Sequence, residues 1–366
     1  RTPFLECPIC PDNAKRRRRA PATLNAKNPE AQPVKDLLVL RADHYSRASH
    51  QTLIEADRTG RFEIVVVADR RKRHFEYSGF RHVAFDTRTV RSLGLPTRRD
   101  MQWRCGDYAY YLAAQAVPDF RHLWLLETDL RIGFDRLEDF FRLFDDCPAD
   151  FLTSDLRPAD LGWSWRVHVA ALRQEAYRCF FPLTRVSRAA CTHLRQQRAA
   201  STDALANDES FAATILVNDG YDCRELEAVV PGLYARPGFS FDYPVLDRAY
   251  ERAPRDNRIY HPVLRDRLYL KRLRRYHGFP KAWRTIYHEA CTAYGWQPPV
   301  LAQRLPPVGL TLGAALTLLV VILFDNPEAI ESLMQAVAVL MCVAAAALAL
   351  RSTGNDDGGT RNRVDR

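Results

Sequence analysis

The sequence lacks the patterns that mark several common classes of protein. Its nine cysteines are an odd number without a repeating spacing, which argues against a disulfide framework and predicts a reducing compartment. Cys7 and Cys10 form one C-x-x-C without the second pair that a zinc ribbon needs. No G-x-S-x-G elbow of a serine hydrolase and no P-loop of an ATP-driven kinase occurs.

Charge and composition narrow the remaining classes. The formal net charge is +9, and 47% of the residues are hydrophobic, enough for a packed core. Residues 1–33 are rich in Pro, Arg, Ala and Asn, include the basic run Lys15 to Arg19, and are predicted to form a tail. Such runs bind anionic partners or lie solvated. Without an aromatic-basic RNA motif or a C₂H₂ pattern, nucleic acid is not an expected partner. The first residues lack the apolar segment of a signal peptide.

Apolar runs and helical periodicity alternate through residues 34–300 and predict one α/β domain. Val34–Leu40 and Phe62–Ala68 are typical of buried strands, and Ser49–Thr59 between them of a helix. Strand, helix, strand at this spacing predicts a Rossmann-type, mostly parallel sheet flanked by helices. The same patterns predict helices at 107–117, 137–144 and 209–217, and strands at 122–126, 151–153 and 221–223.

The C-terminal region predicts a membrane anchor. Residues 308–324 and 329–350 are long apolar runs separated by a short polar turn, and we expect a transmembrane helical hairpin within 301–350. Arg304 and Arg351 would then lie on the same, cytosolic side, with 351–366 as a polar tail. A bacterial inner membrane fits the Arg- and Ala-rich composition. A buried helical pair and a single anchor are the alternatives.

The strongest chemical feature is the segment Leu123 to Asp129. An apolar strand runs directly into Glu127-Thr128-Asp129, which brings two carboxylates to the strand end. Ligands of open α/β sheets bind at that edge. Mg²⁺ and Mn²⁺ prefer oxygen ligands and share them with diphosphate oxygens. Solvated carboxylates at a strand end are the alternative interpretation.

An ordered set of short motifs surrounds this segment, and with it the chain resembles the GT-A class of nucleotide-sugar-dependent glycosyltransferases over roughly residues 34–290. That class carries a DXD motif at this strand end, whereas this chain has Glu127 at the first position. The motifs are Arg104–Tyr108, Glu127–Asp129, Asp150–Asp155, Trp163–Trp165, Arg185–Arg188, Asn207–Phe211 and Tyr260–Val263.

The resemblance implies a metal-dependent sugar transfer. The donor would be a nucleoside-diphosphate sugar, the cofactor Mn²⁺ or Mg²⁺, and the acceptor a glycan or glycolipid. Asp129 would be a metal ligand, and Glu127 would bind the metal or the nucleotide ribose. Asp208 or Glu209 would be the general base on the acceptor hydroxyl. Helix capping is the alternative for that pair.

The same resemblance implies roles for three further residues. His261 would be a metal ligand, with a hydrogen-bonded structural histidine as the alternative. Asp107 and Arg104 would bind the nucleotide, and Asp107 could equally cap a helix.

A second overall function also stays open: a membrane-anchored binding or scaffold protein that kept the fold and lost catalysis.

Overall fold

The computed structural model describes residues 34–275, apart from 72–73, 171, 202–205, 266 and 274. The described part is a mixed α/β fold built on one large sheet. In chain order its strands are β1 (Asp36–Ala42), β2 (Phe62–Ala68), β3 (Arg81–Ala84), β4 (His122–Glu127), β5 (Arg131–Ile132), β6 (Phe151–Pro158), β7 (Tyr177–Ser187), β8 (Cys223–Glu225), β9 (Tyr234–Phe239), β10 (Val245–Leu246), β11 (Ile259–His261) and β12 (Val263–Leu264).

Helices connect these strands and cover the large sheet. They are α1 (Arg47–Arg58), α2 (Thr87–Ser92), α3 (Met101–Arg104), α4 (Tyr108–Ala116), α5 (Leu137–Arg142), α6 (Arg188–Ala200), α7 (Asp208–Asn218), α8 (Leu226–Val229) and α9 (Asp247–Arg252). Several begin with a side-chain cap. In α7, for example, Asn207 accepts a hydrogen bond from the Ser210 N–H at 3.1 Å, which satisfies a backbone donor of the first turn.

The large sheet has seven strands in the order β3-β2-β1-β4-β7-β6-β8. β7 runs antiparallel to both of its neighbours, β4 and β6, and the other pairs are parallel. The strand order reverses between β1 and β4, which is the position where open α/β sheets bind ligands. Arg41 of β1 pairs with Glu127 of β4 at that position.

Alternate residues of the central strands pack against opposite helical layers. On β1, Leu37 and Val39 belong to a core that includes residues of α4, α6 and α7. Leu38 and Leu40 belong to a second core that includes residues of α1 and α5. Both faces of the strand are therefore buried, which explains why its sequence is a continuous apolar run.

Two small sheets position the C-terminal part of the site. One has the order β5-β11-β9, and the other pairs β10 with β12. β5 follows directly after the Glu127-Thr128-Asp129 turn, and β11 ends at His261. The pairing of β5 with β11 thus brings that turn and His261 together.

The predicted α/β class is confirmed, and several elements agree closely with their sequence patterns. β2 spans Phe62–Ala68 as predicted. β1 begins and ends two residues later than predicted, because Arg41 and Ala42 still pair with β2. The strand predicted at 221–223 is instead Cys223–Glu225. The sequence patterns did not predict β3, β5, β7, β9 to β12, α2, α3, α6, α8 or α9. Among the described residues the cysteines are free, namely Cys105, Cys147, Cys179, Cys191 and Cys223.

The predicted tail at 1–33 and the predicted membrane hairpin at 301–350 lie outside the described residues. Within the described residues, no helix combines the length and the apolar character that a membrane span requires.

Candidate active site

The Glu127-Thr128-Asp129 turn is held in place through its backbone carbonyls. Ser49 Oγ donates to the Thr128 carbonyl at 3.0 Å, and Arg131 Nη1 donates to it at 2.8 Å. The Val263 N–H donates to the Asp129 carbonyl at 2.8 Å. Three separate parts of the chain thus fix the backbone of the turn, and none of these three hydrogen bonds uses the carboxylate of Glu127 or Asp129.

Arg131 is itself immobilised, so its contact with the turn is rigid. Its side chain is buried and pairs with the buried carboxylate of Asp247 at 3.1 Å. Asp247 also accepts a bond from Arg265 Nε at 2.9 Å. A buried arginine needs such a partner to offset its desolvation. This pair makes the turn part of the folded framework rather than a loose loop.

Glu127, Asp129 and His261 form a cluster whose potential ligand atoms all lie within 4.8 Å of one another. His261 Nε2 is 3.4 Å from Asp129 Oδ1 and 3.9 Å from Glu127 Oε2. Around a cation with bonds of about 2.1 Å, adjacent octahedral ligands lie about 3.0 Å apart and opposite ones about 4.2 Å. Both His261 distances lie between these limits, so the three residues are placed where they could hold one divalent cation. They are the predicted metal ligands.

The orientation of His261 suits a metal ligand. Its Nδ1 lies 3.2 Å from the Ser240 carbonyl, so the N–H on that nitrogen donates there and Nε2 faces the two carboxylates. Histidine ligands usually have a second partner of this kind, which fixes the tautomer and the ring. The Phe180 ring packs edge-on against the imidazole, with centroids 4.9 Å apart.

The electrostatics of the cluster favour a positive charge between its members. Burial opposes the charge of Asp129, but His261 outweighs it and lowers the pKa of Asp129 to about 2. Burial likewise disfavours the imidazolium, yet Asp129 and Glu127 together raise the pKa of His261 above its ordinary value. A divalent cation would replace this proton and neutralise the same carboxylates.

Arg41 links the cluster of Glu127, Asp129 and His261, called the metal cluster below, to the start of α7. One guanidinium nitrogen donates to Glu127, and Nη1 donates to Asp208 Oδ2 at 3.0 Å. Burial opposes this charge, but Glu127 and Asp208 hold the pKa of Arg41 above its usual range. The site therefore contains a permanent positive charge beside the cluster.

Gly106 makes room for this arrangement. A Cβ at this position would lie 1.5 Å from Arg41 Nη1 and 2.2 Å from Asp208 Oδ2. The Gly106 N–H also donates to Asp208 Oδ2 at 2.9 Å. Only a residue without a side chain permits the guanidinium and the carboxylate to meet here.

The two predicted base candidates, Asp208 and Glu209, differ in their surroundings. Asp208 is buried, with Oδ1 accepting from the Glu209 N–H at 2.9 Å and Oδ2 from Arg41 and Gly106. Glu209 is partly exposed, and Asn207 Nδ2 donates to it at 3.4 Å. The helix cap is Asn207, so neither acid serves as the cap.

Both carboxyl groups have raised pKa values. Burial is the main cause for Asp208, and although Arg41 opposes it, the pKa of Asp208 rises to about 6. Burial also raises the pKa of Glu209 well above its ordinary value, with further contributions from Asp208 and Glu127. Carboxyl groups with such shifts suit acid–base chemistry near neutral pH.

The structure does not bring the predicted nucleotide-binding residues Asp107 and Arg104 into the cluster. Asp107 is fully buried, and both its oxygens accept from the buried Arg198, at 2.8 and 3.0 Å. Tyr111 also donates to it at 2.8 Å. Asp107 thus has no free face for a ligand. Arg104 pairs with Asp100 at 3.0 Å, and its guanidinium lies 4.6 Å from the centre of the Trp165 ring.

A cavity of about 580 Å³ opens beside the metal cluster, at the carboxyl ends of β1, β2 and β4. Its volume is within the range of cavities that hold cofactors and small ligands. The cavity is lined by residues from the strand ends, from α3 and from the segment after β11. They include Arg41, Asp43, His44, Asp69, Arg71, Gln102, Trp103, Glu127, Asp129, Arg131 and Arg265.

The sequence interpretation missed Arg41, although it carries a recognisable signal. It follows an apolar run at the end of β1, as Glu127 follows one at the end of β4. Two charged side chains at the ends of adjacent parallel strands are expected to meet at one edge. The pairing of Arg41 with Asp208, by contrast, could not be inferred without the fold.

No family model matches the chain, and no curated protein has a significant match to it. The interpretation of the site therefore depends on its own geometry.

Proposed function

We propose that this protein is a metal-dependent glycosyltransferase that moves a sugar from a nucleoside-diphosphate donor to a glycan or glycolipid acceptor. The observation that carries the proposal is the convergence of Glu127, Asp129 and His261 at the edge of the sheet, beside a cavity of about 580 Å³. The GT-A-like order of motifs in the sequence supports the same assignment.

The charges of the site suit a nucleoside diphosphate. A bound Mn²⁺ or Mg²⁺ would neutralise charge on the diphosphate oxygens as the bond to the sugar breaks. Arg41 adds a fixed positive charge on the other side of Glu127. Because Asp208 and Gly106 hold Arg41 in place, that charge needs no rearrangement when the donor binds.

Glu209 is the better candidate for the general base. A base must have a lone pair that the acceptor hydroxyl can reach. Asp208 already accepts three hydrogen bonds from Arg41, Gly106 and Glu209, whereas Glu209 is partly exposed. We therefore assign proton removal to Glu209 and the positioning of Arg41 to Asp208.

The Arg41–Glu127 contact also supports the second candidate, a binding protein without turnover. A guanidinium that already neutralises Glu127 could hold a diphosphate by charge alone, without a metal. Such a protein would bind nucleoside diphosphates equally well with and without Mn²⁺, and it would release no product from any donor.

Product release separates the two candidates. The purified chain is incubated with Mn²⁺, a panel of uridine- and guanosine-diphosphate sugars and a mixture of short glycan acceptors, and the released nucleoside diphosphate is measured. The transferase predicts release that requires both metal and acceptor and that Asp129→Ala abolishes. Metal-independent binding without release from any donor would establish the binding protein instead.

A further inference from the structure

A groove of about 740 Å³ lies next to the cavity, on the side of Trp103. It is lined by Arg71, Arg98, Arg99, Asp100 and Trp103. Arg71 and Trp103 also line the cavity beside the metal cluster, so the two spaces adjoin at these side chains. None of Glu127, Asp129 and His261 lines the groove. The groove is therefore distinct from the metal cluster and lies next to the proposed site of transfer.

The groove has an excess of positive charge. Three arginines and a single carboxylate, that of Asp100, line it. Asp69 neutralises the charge of Arg71, whose guanidinium donates two hydrogen bonds to the Asp69 carboxylate, at 2.9 and 2.8 Å. Asp100 pairs in the same way with Arg98. Arg99 pairs with no carboxylate of the described residues. The guanidinium of Arg99 is consequently the charge that can attract an anion.

The backbone around the groove is anchored, so its shape does not depend on a ligand. Arg71 Nη1 donates to the Arg99 carbonyl at 2.9 Å. Gln102 Nε2 donates to the Phe85 carbonyl at 3.0 Å, which ties α3 to the residue after β3. The Tyr108 hydroxyl donates to the Pro96 carbonyl at 3.0 Å. A site that is formed in advance loses less conformational entropy when it binds.

Trp103 supplies an aromatic surface at the junction of groove and cavity. The side chain is 64% exposed, which is unusual for a large apolar ring. Trp165 packs against it edge-on, with centroids 5.8 Å apart, and the Arg104 guanidinium lies over the Trp165 ring. The Arg104 guanidinium also lies 5.7 Å from the centre of the Trp103 ring. The ring is thus held by two neighbours and still mostly exposed, as a ring that stacks on a sugar would be.

We infer that this groove binds an acidic sugar of the acceptor, one that carries a carboxylate or phosphate group, with Arg99 contacting the anion and Trp103 contacting the sugar ring. The inference rests on the proposed function, because the acceptor must approach the donor from a surface that adjoins the donor cavity. The donor diphosphate itself belongs beside the metal cluster, which the groove does not include. A single aromatic residue lines the groove, whereas sites for single-stranded nucleic acid stack successive bases.

Direct binding measurements test the inference. A short oligoglucuronate and a glucose oligosaccharide of equal length are titrated into the full chain by calorimetry, with a chelator present and no nucleotide. We expect the acidic oligosaccharide alone to bind, and more weakly as salt is added. Arg99→Gln and Trp103→Ala should each weaken binding roughly fivefold to tenfold. Arg88→Gln, at an exposed position on α2 outside the groove, is the matched control.

Equal affinity for the neutral and acidic oligosaccharides would overturn the inference, and so would tighter binding of a single-stranded oligonucleotide of equal charge. A third result would also overturn it: displacement of the oligoglucuronate by uridine or guanosine diphosphate with Mn²⁺, measured after the chelator is removed. A phosphorylated glucose oligosaccharide, added as a further arm, distinguishes phosphate from carboxylate as the anion. Failure of the proposed transferase would be seen separately, as absence of metal-dependent nucleotide binding.

Discussion

Arg41 and Asp208 are 167 positions apart in the sequence, yet Nη1 of the arginine donates to Oδ2 of the aspartate at 3.0 Å. The bond joins the end of β1 to the first residue of α7. Through its other nitrogen, Arg41 also reaches Glu127. The metal cluster and Asp208, the neighbour of the proposed base Glu209, therefore belong to one connected network of charges.

Gly106→Ala should break this network. The new methyl carbon would overlap Arg41 and Asp208, since a Cβ at this position would lie 1.5 and 2.2 Å from their side-chain atoms. Displacing Arg41 removes a fixed charge from the diphosphate site, and we expect affinity for nucleoside diphosphate to fall roughly tenfold or more. Calorimetric titration with Mn²⁺ measures this. Gly162→Ala is the control, because a Cβ there meets nothing within 4 Å. Unchanged affinity in the Gly106 variant would contradict the role given to Arg41.

The turnover rate should rise with pH because Glu209 must lose its proton before it can act as a base. Burial and the neighbouring carboxylates of Asp208 and Glu127 favour its neutral form and raise its pKa well above 4.5. Activity is therefore low at acidic pH and increases as the pH passes that raised value. Glu209→Gln should lower kcat by roughly a hundredfold or more.

The control for Glu209 is Glu63→Gln, which changes an exposed carboxylate on β2. It should leave both kcat and the pH profile unaltered. If Glu209→Gln retained the rate and the pH profile of the original protein, the base would have to be another group, with Asp208 the first to test.

Asp107→Asn should destabilise the fold without touching the cavity directly. The change leaves the guanidinium of Arg198 buried without its counter-charge, and losing one partner of such a pair costs about 3–5 kcal/mol. Urea denaturation measures the free energy of unfolding. Asp119→Asn is the control, because its pair with Arg188 is exposed, and it should give no measurable change. Equal stability of the two variants would contradict a structural role for Asp107.

His261→Gln should weaken metal binding. The imidazole Nε2 faces Asp129 and Glu127, and its removal leaves two of the three proposed ligands. We expect the Mn²⁺ affinity, measured by electron paramagnetic resonance of the free ion, to fall at least roughly tenfold. His193→Gln is the matched control, since His193 pairs with Asp219 instead. Equal Mn²⁺ affinity in the two variants would exclude His261 as a ligand.

The sequence predicted the central strands because burial on both faces demands continuous apolar runs. Phe62–Ala68 is such a run and forms β2. β7 escaped prediction because Arg178, Pro182 and Arg185 interrupt its apolar character. In the fold, Arg185 is buried and donates to three backbone carbonyls, those of Phe144, Cys147 and Ala149. No local pattern reveals partners of this kind.

The candidate site was predictable where its residues follow a strand and unpredictable where they depend on distant partners. Glu127 and Asp129 lie at the end of β4 and directly after it, so the edge of the sheet could be inferred for both. Asp107 precedes a helix, as a capping or ligand-binding residue would, but its partner Arg198 lies 91 positions away. Only the packing of α6 against α4 makes that pair possible.

The most direct test of the central claim is a calorimetric titration of the full chain with uridine and guanosine diphosphates, with and without Mn²⁺. A functional cluster of Glu127, Asp129 and His261 predicts that at least one nucleotide binds in the presence of Mn²⁺ and that Asp129→Ala abolishes this metal dependence. Asp135→Ala, which removes an exposed carboxylate beyond β5, should leave it intact. Binding of neither nucleotide, or binding that is the same with and without Mn²⁺, would contradict the account.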